Sequence, residues 1–328
     1  MMKARNRLSY MGFAIFTLVA GISLCFAPTD GALAQAKYPR KTVNWLIAFG
    51  AGGGTDIFGR SIGSLLTKEG LTDASFVYEN RTGGSGVKAF LDLCNRHKGD
   101  DHILFPFQDV VIVPWLQGEI KENFKSFTIL AGLAEDRHFI VVPAKSPYRT
   151  LKEMVAASKT KEVVIGIGSS GRFPAALFTE ASGIKARMVR FEGDAQINVA
   201  LLGSHIDAGF INPSEVLGQL QAGTMRAIAV AAPKRLERFP AVPTFHEEGY
   251  NVVFGLFRGV GMPPGVSEQV KNYWTERLAK LSKTQSWKTT FIDKNSLDGQ
   301  FTPGPAFAKR IEEEIVPIYR NVLKQEKK

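Results

Sequence analysis

Residues 43–66 read VNWLIAFGAGGGTDIFGRSIGSLL. The first seven are apolar except for Asn44 and rich in branched and aromatic side chains, as in a strand buried on both faces. Glycines then break the run. From Thr55 onward the apolar side chains recur at helical spacing, with Ile57, Phe58, Ile62, Leu65 and Leu66 on one face. Strand, glycine-rich turn and helix form the opening unit of an α/β layer. Such a turn lets the main chain approach a ligand closely, and the helix N-terminus behind it favours negative charge. Gly52, Gly53 and Gly54 supply the turn; Thr55 or Asp56 is placed to cap the helix, and Thr55 to donate to a ligand oxygen. No lysine follows the glycines where a phosphate loop requires one, which excludes that reading.

The unit recurs at residues 163–174, VVIGIGSSGRFP. Gly166, Gly168 and Gly171 satisfy G-x-G-x-x-G between a strand and a helix, and Glu192 follows about twenty residues on, as in a dinucleotide-binding fingerprint. Arg172 and Phe173 put bulk directly after the last glycine, where that fingerprint needs close helix-to-strand packing, and the match lies mid-chain. An NAD-dependent oxidoreductase is therefore the weaker alternative. A loop whose Ser169, Ser170 and main-chain amides face a carboxylate uses the same physics with less demanding geometry.

Further strands are expected at 76–78, 103–105, 139–142, 188–191, 208–211 and 227–230, with helices between them. Gly83, Gly84 and Ser85 open one helix; Asp194 and Pro213 start two others. The alternation predicts parallel sheets covered on both faces. We read two α/β lobes: 37–137 with about 254–300, and 138–253 with about 301–328. The chain is expected to cross between them at 134–139 and 248–254. A last helix, 305–323, carries Ile311, Ile315, Ile318 and Val322 along one side and should pack back across the lobes, kinked at Pro317.

The N-terminus sets the compartment. Lys3, Arg5 and Arg7 precede a mostly apolar stretch at 11–26, and Ala32, Ala34 and Ala36 supply small residues for cleavage after Ala34 or Ala36. Residues 1–36 are thus expected to be a signal peptide that directs the chain to the periplasm. Cleavage removes Cys25 and leaves Cys94 alone, so no intramolecular disulfide is available. No later segment approaches the ~20 apolar residues of a membrane span. The formal charge of +10 falls to +8 once Lys3, Arg5, Arg7 and Asp30 are removed, and the excess is scattered along the chain. No basic stripe interleaves with aromatics, so nucleic acid is not a partner. His97, His102, His138, His205 and His246 stand in no metal-ligand spacing, and no G-x-S-x-G elbow occurs. No catalytic group, metal or cofactor is assigned.

A specific resemblance covers essentially the whole mature chain. It is carried by Tyr38-Pro39-Arg40-Lys41, by residues 49–56 ending in Gly-Gly-Gly-Thr-Asp, and by Glu79-Asn80-Arg81 ahead of glycines. It continues through Ser169-Ser170-Gly171, residues 191–195, 202–207, 222–230 and 235–243, and Phe254-Gly255-Leu256. Together these resemble the substrate-binding component of tripartite tricarboxylate transporters, also called Bug-type or TctC-like proteins. The resemblance implies a two-lobed Venus-flytrap fold of the type II periplasmic binding protein class, with the ligand cleft between the lobes. It further implies no cofactor, a small carboxylate ligand, and delivery to a membrane permease of one large and one small subunit. Carried over by position, ligand contacts fall on Gly52, Gly53, Gly54 and Thr55, with Gly83 to Ser85 alongside. The second lobe would add Ser169, Ser170, Gly171, Asp194, Ala195 and Asn212.

The chain departs from the family pattern at Arg172-Phe173, at residues 105–109 and at Phe257-Arg258-Gly259, where bulk or charge replaces small residues. From the residues themselves we expect Arg172 to face a second acidic group through its planar fork. Phe107, Phe173, Phe191, Phe210 and Phe254 would then line an apolar middle, which suits a dicarboxylate with a hydrocarbon or aromatic spacer. A monomer is expected, and a ligand-presenting sensor is the alternative role for the same lobes.

Overall fold

The computed structural model describes residues 38–325; the expected signal segment lies outside them. Eleven strands among the described residues form two sheets. The first holds β1 (Val43–Ile47), β2 (Phe76–Asn80), β3 (Ile103–Phe107), β4 (Thr128–Arg137), β10 (Gly255–Met262) and β11 (Asp298–Pro303), in the order β11-β4-β10-β3-β1-β2. The second holds β5 (Phe139–Pro143), β6 (Val163–Ile167), β7 (Ala186–Arg190), β8 (Ala208–Ile211) and β9 (Met225–Val230), in the order β7-β6-β8-β5-β9.

Each sheet has a parallel half and an antiparallel half. β1 pairs in parallel with β2 and β3, and β6 with β7 and β8, as expected where helices connect the strands. The strands that receive the chain after each crossing, β5 and β10, run the other way, and β10 is antiparallel to β3 as well as to β4. β4 is antiparallel to β10 and β11, and β5 to β8 and β9, so wholly parallel sheets do not form. A chain that leaves one sheet at its ligand-facing edge and enters the other there has to reverse direction. His138 alone separates β4 from β5, and Arg137 pairs with Gly255 at the return crossing. Main-chain bonds from Ala231 N to His138 O and from Phe254 N to Ala231 O tie the two crossings together.

The helix Gly54–Lys68 buries Phe58, Ile62, Leu65 and Leu66, while Ile57 faces solvent rather than the core. Trp45 at full burial anchors β1 on the same side, and burying such side chains contributes about 1.5–3 kcal/mol each. The tail divides differently from expectation. β11 joins the first sheet and the helix Gly304–Arg310 packs on β4, so residues 301–310 belong with the first lobe. Only the final helix, Val316–Gln325, lies against Arg172–Ser182 of the second lobe as well as Val113–Gln117 of the first. Ile311, Ile315 and Tyr319 thereby join aromatic residues of both lobes in one apolar cluster. Pro317 is accommodated by a turn of π-helix, Ile311–Ile315, directly before it: a proline has no N–H to bond the carbonyl four residues back, and the widened turn absorbs the missing bond.

Candidate functional site

The parallel strands of both sheets end at the edge where the chain crosses over, so the turns after β1, β2, β6 and β8 gather there. The first turn is braced from below. Asp56, 2% exposed, accepts from Gly52 N at 2.9 Å, from Asn80 Nδ2 at 2.9 Å and from Arg60 Nε at 2.9 Å. Asn80 also donates to Phe49 O at 2.8 Å. Burial acts to raise the Asp56 pKa, but the bonds from Gly52, Asn80 and Arg60 outweigh it and hold the carboxyl below its ordinary value. Asp56, which the sequence offers as a helix cap or a ligand contact, is therefore a buttress for the glycines, with both oxygens bonded within the turn and its neighbours. Gly53 precedes the helix with no side-chain cap, which leaves its first N–H groups for an outside acceptor. Thr55 is 6% exposed beside them. Gly83, Gly84 and Ser85 lie exposed in the loop after β2, and Ser85 holds a left-handed φ of 52°.

On the second lobe, Gly171 also begins its helix without a side-chain cap. Ser169 is exposed, and Ser170 Oγ lies 3.0 Å from His138 Nε2 at the crossing. Burial, reinforced by the neighbouring Arg137 charge, lowers the His138 pKa to about 3, so this ring is neutral. A methyl group on Gly171 would lie 3.1 Å from the Phe210 carbonyl, so this glycine permits the turn to pack on β8.

A hydrogen-bonded chain joins the two turns across the crossing. Arg258 on β10 lies against Gly54, with Nη1 3.3 Å from where a Cβ would stand, and donates through Nη2 to Asp136 Oδ2 at 3.0 Å. Asp136 Oδ1 accepts from Asn212 Nδ2 at 2.9 Å, and the same amide donates to Arg137 O at 2.9 Å. Asn212 N donates to Asp194 Oδ2 at 2.9 Å, and Asp194 Oδ1 borders Gly168. Burial raises the Asp194 pKa to about 6; the Asn212 N–H works against this, while Glu215 and Asp136 add to it. Burial likewise raises Asp136 despite Arg258 and Asn212.

Of the residues expected at the site, Asp194 and Asn212 are thus brought together, with Ala195 exposed next to them. Arg172 lies over the Phe173 ring at 4.7 Å, and its charge opposes Asp109, whose pKa burial raises to about 6. Phe107 and Phe210, 1% and 0% exposed, sit among Phe127, Phe257 and Phe307 and among Phe178 and Phe245, and have no surface left to offer a solute. Phe173 stacks on Phe254 and packs at a tilt against Tyr319, which also touches Phe254, and Phe191 is part-buried over Gly166. Arg258, Asp136 and His138 were not assigned from sequence. Their signal was present in charged residues at the ends of apolar strands, Glu135 to His138 after β4's apolar run and Arg258 within GLFRGVGM.

A cavity of about 170 Å³ lies on the β9–β11 flank, bordered by Arg238, Lys288 and Asp293. Three of its cations are engaged: Lys288 pairs with Glu237 and Asp293, Arg235 with Glu247, and Arg238 donates to Asp293 O. The two glycine turns, by contrast, lead into helix starts without side-chain caps.

Comparison with known proteins agrees with this fold. A TctC solute-binding protein from Polaromonas superposes with a TM-score of 0.80 at 25% identity, covering 88% of this chain and 100% of that one. MatC from Rhodopseudomonas palustris, solved with bound malate, shares the fold with a TM-score of 0.65 at 20% identity over 87% of this chain and 99% of its own. The UPF0065 protein of the gbd 5′ region of Cupriavidus necator is 27% identical over 288 residues, 84% of this chain and 85% of that protein. The model of the tripartite tricarboxylate transporter family receptor, TctC, matches residues 66–315. The chain belongs to this family of periplasmic solute-binding receptors, which are not enzymes.

Proposed function

We propose that this protein is exported to the periplasm and captures a small organic acid, a di- or aromatic carboxylate, between its two glycine turns. It then passes the acid to a membrane permease of one large and one small subunit. The observation that carries this reading is the convergence of two uncapped helix starts on one chain of polar groups, Arg258–Asp136–Asn212–Asp194. Main-chain N–H groups and a helix dipole favour a carboxylate at such a place. Malate in MatC, which shares the fold, supports the same ligand class.

Capture proceeds by hinge closure about the crossings at 134–139 and 248–254. Calorimetry with a panel of carboxylates tests the binding. At least one acid should bind one to one, and NADH should give no heat. Small-angle scattering tests closure: the radius of gyration should fall when that acid saturates the protein, and an unchanged value would remove the hinge from the account.

A further inference from the structure

We propose that Arg258 is the fixed cation that reads the solute's carboxylate, and that it does so at the start of the helix Gly54–Lys68, with Asp136 as its positioning residue. This rests on the carboxylate-binding reading above and assigns the charge that discriminates for it. A guanidinium carries five N–H donors. Here one bond goes to Asp136 Oδ2, Nη1 lies against Gly54, and Nε is buried without an acceptor. Nε is enclosed by protein, so the face offered to a solute is that of the outer nitrogens, and a carboxylate is the planar two-oxygen acceptor that matches such a fork. Gly54 explains itself in the same terms: any Cβ there would press on Nη1 at 3.3 Å, so the third glycine of the turn lets the guanidinium lie over the uncapped helix start. Main-chain donors and a side-chain fork then converge on a single anion. Arg172 is less suited to the task, because Asp109 and Tyr319 stand beside it. Asp136 orients Arg258 but also offsets its charge, so the two residues should affect affinity in opposite directions.

Titration calorimetry with malate, the straight-chain dicarboxylates from succinate to suberate, and the phthalate isomers tests this, each acid compared with its primary amide. Arg258→Gln should weaken the tightest acid about thirtyfold and leave its amide nearly unchanged. Asp136→Asn keeps the size, removes the charge that offsets Arg258 at the loss of one of the two bonds the carboxylate accepts, and should tighten the acid several-fold. A residue that merely holds the fold together would not produce that opposite sign. If Arg258→Gln leaves Asp136 buried and the protein unfolded, the paired variant Arg258→Gln/Asp136→Asn removes both charges and should show the same thirtyfold loss. Wild-type affinity in these variants, with wild-type binding intact, overturns the role of Arg258 alone. If the wild type binds no acid of the panel, the carboxylate reading falls and this inference with it.

Discussion

Replacing Asn212 by leucine is expected to lower stability by about 3–4 kcal/mol and to cut solute affinity more than tenfold. The two side chains are close in size, so packing changes little and the loss is polar. Asn212 Nδ2 bonds both the Asp136 carboxylate and the Arg137 carbonyl, each at 2.9 Å. A bond to a charged group contributes about 1.5–3 kcal/mol, and an orphaned carbonyl adds about 1 kcal/mol or more. Asp136 would keep only Arg258 in a buried position. The melting temperature should fall by roughly 10 °C, at about 2–4 °C per kcal/mol for a chain of this size. Affinity suffers because this amide, beside the Ser170–His138 bond, is a direct tie between the second-lobe turns and the crossing. A melting temperature within about 2 °C of wild type would mean that the chain of bonds between the turns is not cohesive.

Asp194→Asn is expected to act in the opposite direction and stabilise the protein at neutral pH by about 2–3 kcal/mol. Burial, with Glu215 and Asp136 adding to it, raises this carboxyl from 3.8 to about 6. The folded state therefore holds the proton more tightly than the unfolded state. That contribution is fully present below about pH 4 and is lost as pH rises through about 6. Asparagine still accepts from Asn212 N and carries no charge to bury. Urea denaturation from pH 4 to pH 8 should show the two proteins equal at pH 4 and furthest apart above pH 6. Acid loss from neutral, buried His138 is common to both and cancels in the difference. Equal stability at pH 8 would place Asp194 in a better solvated setting than this geometry provides. A site residue that costs stability is the usual trade between function and folding.

The glycine turns were legible because their signal is local: a buried apolar run, glycines, then helical spacing within some twenty residues. The turn at 50–54 and the one at 166–171 both stand where the sequence puts them, each opening a helix. The strands between the lobes were harder to read. β4 ends in Glu-Asp-Arg, and these charges disguise ten residues of strand; all three are buried, with Arg137 paired to Glu135 and Asp298. β11, DGQFTP, has the composition of a turn and becomes a strand only because the edge of β4 accepts it. Ile57 fits the helical period of its neighbours yet lies at the margin of the buried face, a distinction that periodicity does not make.

The site separates along the same line. Asp194 and Asn212 belong to local helix-start patterns, and the structure brings the two together. The contact of Gly54 with Arg258, about two hundred residues apart, depends on the return crossing, and no local pattern encodes it. Composition also misled. Phenylalanines near the turns suggested an apolar lining, but Phe107 and Phe210 fill the cores of their lobes, where most phenylalanines go.

The decisive measurement is a crystal structure of the protein with the tightest acid from the calorimetric panel. One carboxylate should lie within hydrogen-bonding distance of the main-chain N–H groups that open the helix Gly54–Lys68 and of Arg258, with the rest of the solute directed toward Ser170 and Asn212. The same acid lodged in the cavity beside Arg238 and Lys288, with the space between the glycine turns left to water, would contradict this placement.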